Sequence, residues 1–439
     1  MKNYIKRKLA VKTSNELIKD EAFKARHRRN ETDFTRDRVL SFGLVLVLVL
    51  RNSVKSLQLV VNEAMNWLNK DPVTASAYSQ ARYKLRHTAF IELNQKAVVD
   101  AMYANEDYQR YWGYRILAVD GSKIRLPDND DISEEFGTIS YSNGKDKTVQ
   151  GKHPYALASV LYDVLNRVVL TAELAKADAY EVDLAIAHLT DTNEHDLIVM
   201  DRNYPSYRML AELQDRDRAC VIRCSAASFG VARQMLKGEG ADNQIVTLKP
   251  CAKQAPLIRS LNLPQSLSVR FVRVQLSSGE YEVLITTLKD EALYPTEGFK
   301  ALYYLRWGVE TFYGMIKTRL ELENFTGIGV EAVRQDFFST LYLSGLESLL
   351  TEPAQSLLDQ KETTYPQKVN RAVSFNAIKD QALALLFSSK LEPEPLLERL
   401  TILFQTNPCL ERKHRNPPRI NSSSRRLLNF QKRQRKRCF

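Results

Sequence analysis

The chain lacks an apolar run long enough to cross a bilayer. The longest in its 439 residues, Phe42–Leu50 (FGLVLVLVL), holds nine, against about 20 for a spanning helix. Charged residues precede and follow it in DFTRDR and RNSVKS, so the run reads as the buried centre of a helix. A secretion signal is lacking too: the N-terminus MKNYIKRKLAVKTSNELIKD is basic but has no apolar stretch. Cysteine is sparse. The five residues Cys220, Cys224, Cys251, Cys409 and Cys438 form no C-x2-C pair and have no histidine ligands nearby, which argues against a disulfide framework or a Cys/His metal site. Reduced core thiols in a reducing cytoplasm are expected, with Cys220 and Cys224 on one face of the strand ACVIRCS. No repeat of solenoid period is present.

Acids are missing from the end of the chain. After Glu411 there are eleven Lys/Arg, from Arg412 to Arg437, and no Asp or Glu. The net charge is +11, so the first 411 residues balance to zero. The cationic excess is a tail rich in Asn, Ser and Pro and poor in apolar residues, expected to be disordered when free and suited to phosphate contact by counterion release. Any DNA contact elsewhere must come from local patches, not a global field.

What the chain does have is acids and bases in particular settings. In YYLRWGVETFYGMIKTRLELENF, Tyr303, Arg306, Glu310 and Lys317 follow a Y-x2-R-x3-E-x6-K spacing. On one straight helix at about 100° per residue they fall within a wedge of roughly 60°. Leu305, Val309, Phe312, Ile316 and Leu320 take the opposite, core-facing side. Trp307 lies about 40° from Tyr303, on the polar side, where an indole can stack on a base or tuck against a neighbouring element. Gly308 and Gly314 cost the helix about 1 kcal/mol each and leave room for a bulky ligand. Taken alone, Arg306 and Glu310 also read as an ordinary surface ion pair.

Two aspartates join them. RILAVDGSKIRLP reads as a strand from Ile116 to Val119 that ends in Asp120, with Gly121-Ser122 after it. HDLIVMDRNYPSYRMLAEL reads as a strand ending in Asp201, followed by a helix from about Tyr204. Each aspartate is placed where a buried strand meets a loop, the position where open α/β sheets gather ligands. A plain Asp-Gly turn and a helix cap are the alternatives for Asp120 and Asp201. Two aspartates and a glutamate on separate elements make a hard-oxygen donor set for Mg²⁺ or Mn²⁺. Two such ions can activate a water or a 3′-hydroxyl and stabilise the leaving oxygen of a phosphodiester.

With Asp120 in VDGS, Asp201 in MDRNYPSY and the Y-R-E-K run, the chain resembles the DDE transposases of bacterial insertion sequences, and within them the insertion-sequence-four family. DFTRDRVLSF and TASAYSQARYKL are similar to that family's N-terminal region. The resemblance implies a mixed α/β fold: an RNase H-like catalytic core interrupted by a β-rich insertion, with helical N- and C-terminal regions. It implies Asp120, Asp201 and Glu310 as catalytic residues holding two Mg²⁺ or Mn²⁺ ions. Tyr303, Arg306, Lys317 and Trp307, with Arg202 beside Asp201, become the DNA contacts. The implied partners are double-stranded DNA, as transposon inverted-repeat ends and target, and a second copy in a homodimer on DNA. No membrane is involved, and the place of action is the nucleoid of the cytoplasm. The implied activity is cut-and-paste transposition. A metal-dependent nuclease without strand transfer and a catalytically inactive DNA-binding protein are the rival readings.

The organisation expected along the chain starts with a helical DNA-binding region, 1–110. There Arg82 and Arg86 share a helix face and could meet phosphates as in a helix-turn-helix. The first part of the core follows at 111–225, with HPYALASVLYDV and NRVVLTAEL as a hairpin and a helix over Glu181–Leu189. The β-rich insertion takes 226–296. The second part of the core, 297–350, carries the Glu310 helix and an amphipathic helix VRQDFFSTLYLSGLESLL. A helical region, 351–405, and the basic tail, 406–439, complete it.

The tail generates a first prediction. Deleting residues 412–439 weakens non-specific DNA binding and flattens its salt dependence, each lost phosphate contact removing about 0.9 from the log–log slope. Equal slopes for full-length and truncated chains would show that the tail does not touch DNA.

Overall fold

The computed structural model describes residues 2–36, 38–51, 55–142, 150–276, 278–388 and 392–411. The basic tail after Glu411, and Cys438 within it, lie outside the described residues. The described residues form two compact units, one within the ranges 1–107, 124–156 and 315–411, the other within 108–123 and 157–314.

The first unit is built round one helix, Val330–Asp359. Its sequence suggests an amphipathic helix that ends near Leu350. Instead it runs for 30 residues, and every residue from Gln335 to Thr351 is buried. The reason is that helices Lys2–Lys19, Phe42–Leu50, Thr88–Leu93, Arg371–Leu386 and Pro393–Thr406 all pack against it. Its polar residues are therefore satisfied inside the bundle. Tyr342 Oη is 2.7 Å from Ser14 Oγ, and the Glu347 carboxylate accepts from Arg371 and Ser374, at 2.6 Å each. The nonapeptide Phe42–Leu50 is the expected buried helix, with all nine residues inside and the Ser41 hydroxyl accepting from Leu44 N–H.

Arg82 corrects the sequence reading. It ends helix Ala75–Arg82 and is buried, 6% exposed. Its guanidinium donates to Gln335 Oε1 and Asp336 Oδ1, both at 2.7 Å, and to the Ala332 carbonyl. A guanidinium so engaged is not free for DNA. Arg86 lies past the end of that helix and stays exposed.

The second unit is a mixed sheet with helices. The strands are β1 (Arg115–Arg125), β2 (Thr138–Ser142), β3 (Gln150–Asp163), β4 (Val168–Lys176), β5 (Asp196–Met200), β6 (Ala219–Cys224), β7 (Asn243–Leu248), β8 (Leu267–Gln275) and β9 (Tyr281–Thr286). In this unit their order is β4-β3-β1-β5-β6-β9-β8-β7, while β2 pairs with the first residues of β3 in the other unit. β1, β5 and β6 are parallel; β6, β9, β8 and β7 are antiparallel. The parallel strand β5 is buried along its whole length, as expected for strands covered on both faces. A mixed α/β fold of this order is consistent with an RNase H-like core, and helical regions flank it in sequence as expected. Residues 226–296 do not form a sheet of their own: β7, β8 and β9 extend the same sheet beyond β6. That segment also contains two short helices, Gly230–Leu236 and Ala255–Ser260, too brief for a helical period to show in sequence. Cys220 and Cys224 are buried free thiols on β6, and burial pushes the Cys220 thiol up to about 11.

One ion pair sets the register of the central strands. Arg115 and Asp196 are register partners in β1 and β5, and Arg115 donates to both oxygens of Asp196, Nε at 2.6 Å and Nη2 at 2.8 Å. The carboxylate is 0% exposed. Among the described residues no helix is long and apolar enough to cross a membrane.

Removing one partner from a buried ion pair costs about 3–5 kcal/mol. Arg82→Ala and Arg115→Ala should each lose stability on that scale in guanidinium unfolding. Arg86→Ala, on an exposed side chain, should stay within about 0.5 kcal/mol. Wild-type stability in Arg82→Ala would restore that residue as a candidate for DNA contact.

Candidate active site

Asp120 does not sit in a turn. β1 runs unbroken through Asp120-Gly121, and the Gly121 N–H donates to Asp120 Oδ1 at 2.9 Å. The pairing of β1 with β5 begins at Arg115↔Asp196 and closes at Ala118↔Val199. Continuing that register by two residues puts Asp120 opposite Asp201, just past the end of β5. Parallel register partners project to the same face, and the Asp201 charge acts on the Asp120 carboxyl. Asp201 is no helix cap either: the next helix starts at Tyr207 with Ser206 capping it. Asp201 Oδ1 accepts instead from the Asn203 N–H at 2.8 Å.

The helix expected to carry Tyr303, Arg306, Glu310 and Lys317 is broken. Tyr303 belongs to helix Gly298–Tyr304, Glu310 and Lys317 belong to helix Trp307–Thr318, and Arg306 lies between them. There the backbone bonds tighten to i→i−3, with Arg306 N–H donating to Tyr303 O and Val309 N–H to Arg306 O. The straight-helix wedge is therefore not the geometry of the site. The second helix is fixed on the sheet by contacts within its own unit. Tyr313 Oη donates to the Ala158 carbonyl at 2.9 Å and lies 3.1 Å from the carbonyl of Asp120 itself. Phe312 stacks on Tyr162 with ring centroids 4.5 Å apart. A Cβ on Gly308 would come within 3.1 Å of Val164, so that glycine allows close approach to the turn after β3. Gly314, by contrast, faces open space.

Arg306 is 4% exposed. Its guanidinium lies 4.8 Å from the ring centroid of Trp307 and 5.7 Å from that of Tyr303, and Nη2 donates to Glu310 Oε1 at 2.7 Å. Trp307 itself is 37% exposed. Arg202 is exposed on the loop after Asp201. Lys317 falls in the other compact unit, where its ammonium faces Glu323 at 3.9 Å.

Asp120 is lifted from 3.8 to about 7, first by burial and then by the negative charge of Asp201; Arg306 and the Gly121 N–H oppose this, and Glu310 adds to it. Asp120, Asp201, Glu310 and Arg306 thus share one electrostatic neighbourhood. Glu181, the first residue of helix Glu181–His188, shares it too. Burial and Asp201 raise its carboxyl, with Lys123 opposing. Sequence reasoning missed Glu181, because an acid in a helix's first turn reads as a partner of the helix dipole. It also missed Tyr313 and Tyr204, whose spacing looks like core.

Among the described residues no three His, Cys, Asp or Glu side chains converge closely enough to hold a metal ion; Glu310 is turned to Arg306 instead. In kind, the donors fit a hard cation, being carboxylate oxygens. The polar atoms around them are also unsatisfied. Tyr204 Oη, Tyr303 Oη and Arg306 Nε are buried without a hydrogen-bond partner, a rare condition that calls for a ligand, an ion or water.

Residues 111–344, more than half of the chain, match the transposase DDE domain family. No curated protein matches the chain. Among solved structures it is similar to the piggyBac transposase synaptic complex with hairpin DNA, studied by cryo-electron microscopy. The identity is 10% and the TM-score 0.41, over 96% of this chain and 85% of that one.

The Asp120 shift gives a pH dependence. A carboxyl raised from 3.8 to about 7 binds its proton more tightly in the folded chain than in the unfolded one. Its favourable contribution is present below about pH 4 and is lost as pH rises through about 7. Asp120→Asn removes that slope. In chelator it should melt above wild type at about pH 8, with the gap closing at about pH 4. Parallel curves for the two proteins would mean that neither burial nor Asp201 raises the Asp120 carboxyl.

Proposed function

Because this chain belongs to the transposase DDE domain family, we propose that it is an insertion-sequence transposase of the insertion-sequence-four type. Its activity is then metal-dependent cut-and-paste transposition: cleavage at the transposon ends and transfer of the 3′-hydroxyl strand into target DNA. The observation that supports this reading is that the charges of Asp201 and Glu310 both act on the buried Asp120 carboxyl, beyond the end of the β1–β5 pairing.

Asp120 and Asp201 would hold the divalent ions, joined by Glu310 when its carboxylate leaves Arg306. Bound there, two Mg²⁺ or Mn²⁺ ions would activate a water or 3′-hydroxyl and stabilise the leaving oxygen. Arg306 keeps its charge at any working pH and has an unpartnered Nε that suits a phosphate oxygen. Tyr303, with an unpartnered buried hydroxyl, would donate to the same phosphate group. Lys317 and Arg202 would meet the DNA backbone. Trp307, half over Arg306 and partly exposed, would stack on a terminal base during a hairpin step. Double-stranded ends and target are the partners in this reading, a homodimer on paired ends is the assembly, and the nucleoid is where it acts. Residues 1–110 would supply end binding and the basic tail further phosphate contacts.

Asp120→Asn, Asp201→Asn and Glu310→Gln should each abolish Mg²⁺-dependent cleavage of end DNA while binding survives; full cleavage by a folded variant removes that residue from the set. Cleavage without joining, in a strand-transfer assay on paired ends, would favour the nuclease reading. Trp307→Ala should slow hairpin formation more than the first nick. Equal loss of both steps, with a melting point several degrees lower, would assign Trp307 to packing.

A further inference from the structure

We propose that Glu181 is a fourth carboxylate of this site, holding a divalent cation together with Asp201, and that the Tyr204 hydroxyl donates a hydrogen bond to the carboxylates so assembled. This rests on the metal-dependent reading above and deepens it.

The placement of Glu181 is the first observation. Its carboxyl group lies against Gly121, the residue after Asp120: a Cβ at position 121 would stand 3.1 Å from Glu181 Cδ and 3.3 Å from Oε1. Contacts of 3.0–3.4 Å are tighter than ordinary van der Waals packing, so glycine in VDGS makes room for this carboxylate. An Asp-Gly pair in mid-strand otherwise weakens the strand, and no positive φ occurs at Gly121 to account for it. Burial and then the negative charge of Asp201 raise the Glu181 carboxyl, and the positive charge of Lys123 opposes them. Among the described residues neither a hydrogen bond nor an ion pair holds the Glu181 side chain.

Tyr204 is the second, independent observation. It is 1% exposed, and its hydroxyl has no hydrogen-bond partner although it lies in the combined field of Asp120, Glu181 and Asp201. A buried phenol in the field of three carboxylates, yet bonded to none, fits a site whose acids draw together only when a cation sits among them. Asp201 has one oxygen on the Asn203 N–H, which leaves the other for the ion. The chemistry selects a hard, oxygen-preferring divalent cation.

The test is Mn²⁺ binding to the full chain, free of nucleic acid, counted by electron paramagnetic resonance of the unbound ion. Wild type, Glu181→Gln, Glu181→Asp, Tyr204→Phe, Asp120→Asn and, as a control on an exposed carboxylate, Glu194→Gln are compared, with thermal melting to verify folding. Glu181→Gln should weaken Mn²⁺ by about 10- to 100-fold, Glu181→Asp should recover part of the loss, Tyr204→Phe should lose less, and Glu194→Gln should match wild type. Should Glu181→Gln fail to fold, Glu181→Asp and Tyr204→Phe carry the test, and wild-type affinity in both overturns the proposal. Wild-type affinity in folded Glu181→Gln, with Mn²⁺ lost in Asp120→Asn, overturns the role of Glu181 alone. No Mn²⁺ binding by wild type overturns this role and the metal-dependent reading together.

Discussion

The fork of Arg115 on the Asp196 carboxylate is the constraint from which the site follows. The two residues face each other in the parallel pairing of β1 with β5, and both oxygens of a fully buried carboxylate are engaged. Such a pair adds little net stability compared with an apolar substitute, but it penalises any shift of one strand along the other. A slip of a single residue would turn every side chain of β5 to the opposite face. Asp120, five residues on in β1, and Asp201, just past the end of β5, would lose the register that leads to them. The ion pair at one end of the strands thus bears on the charges that act on Asp120 at the other.

The third acid is placed by a different device. Glu310 is carried by a helix whose Tyr313 hydroxyl reaches the carbonyls of both Asp120 and Ala158. The helix is therefore registered on the very residue whose carboxylate it must accompany. Phe312 on Tyr162 of β3 and Gly308 on Val164, in the turn that follows, repeat the attachment. Side chains held by packing and by hydrogen bonds to rigid strands keep their positions better than residues on loops. The break at Leu305–Arg306 serves the same end, because it lets Arg306 turn inward between two aromatic rings while Trp307 stays at the surface.

Much of this was legible in the sequence, for identifiable reasons. Apolar runs ending in Asp120 and Asp201 pointed to strands that deliver acids, and the Y-R-E-K spacing pointed to a cation beside a carboxylate; those signals are local. The nonapeptide Phe42–Leu50, flanked by charge, reads directly as a buried helix. What could not be read was set by tertiary contacts. Asp120-Gly121 looks like a turn, yet the strand runs on through it, with Glu181 packed where a side chain at 121 would be. A straight-helix projection cannot foresee two tight turns at Arg306. Arg82 looks like a phosphate contact until Asp336, over two hundred residues away, claims it. The helix Val330–Asp359 has polar residues on every side and reads as amphipathic, whereas the bundle around it satisfies them. Pairings this distant leave no periodicity behind.

The charge balance of the site explains why its pieces depend on one another. Arg306 is buried and cannot release its proton, so it stands as a permanent counter-charge beside Tyr303, Trp307 and Glu310. It lowers the Asp120 carboxyl while burial first, and then Asp201 and Glu310, raise it, and the raising wins. One guanidinium thus does not offset burial and the neighbouring carboxylates together. In the cation-free chain the deficit is met by a proton on Asp120, held up to about 7. A divalent cation answers the same deficit with more charge and with ligand geometry, so proton and cation compete for one function. The unpartnered hydroxyls of Tyr204 and Tyr303 and the free Nε of Arg306 are the polar counterpart of that deficit. They are donors placed where negative oxygen is still to arrive.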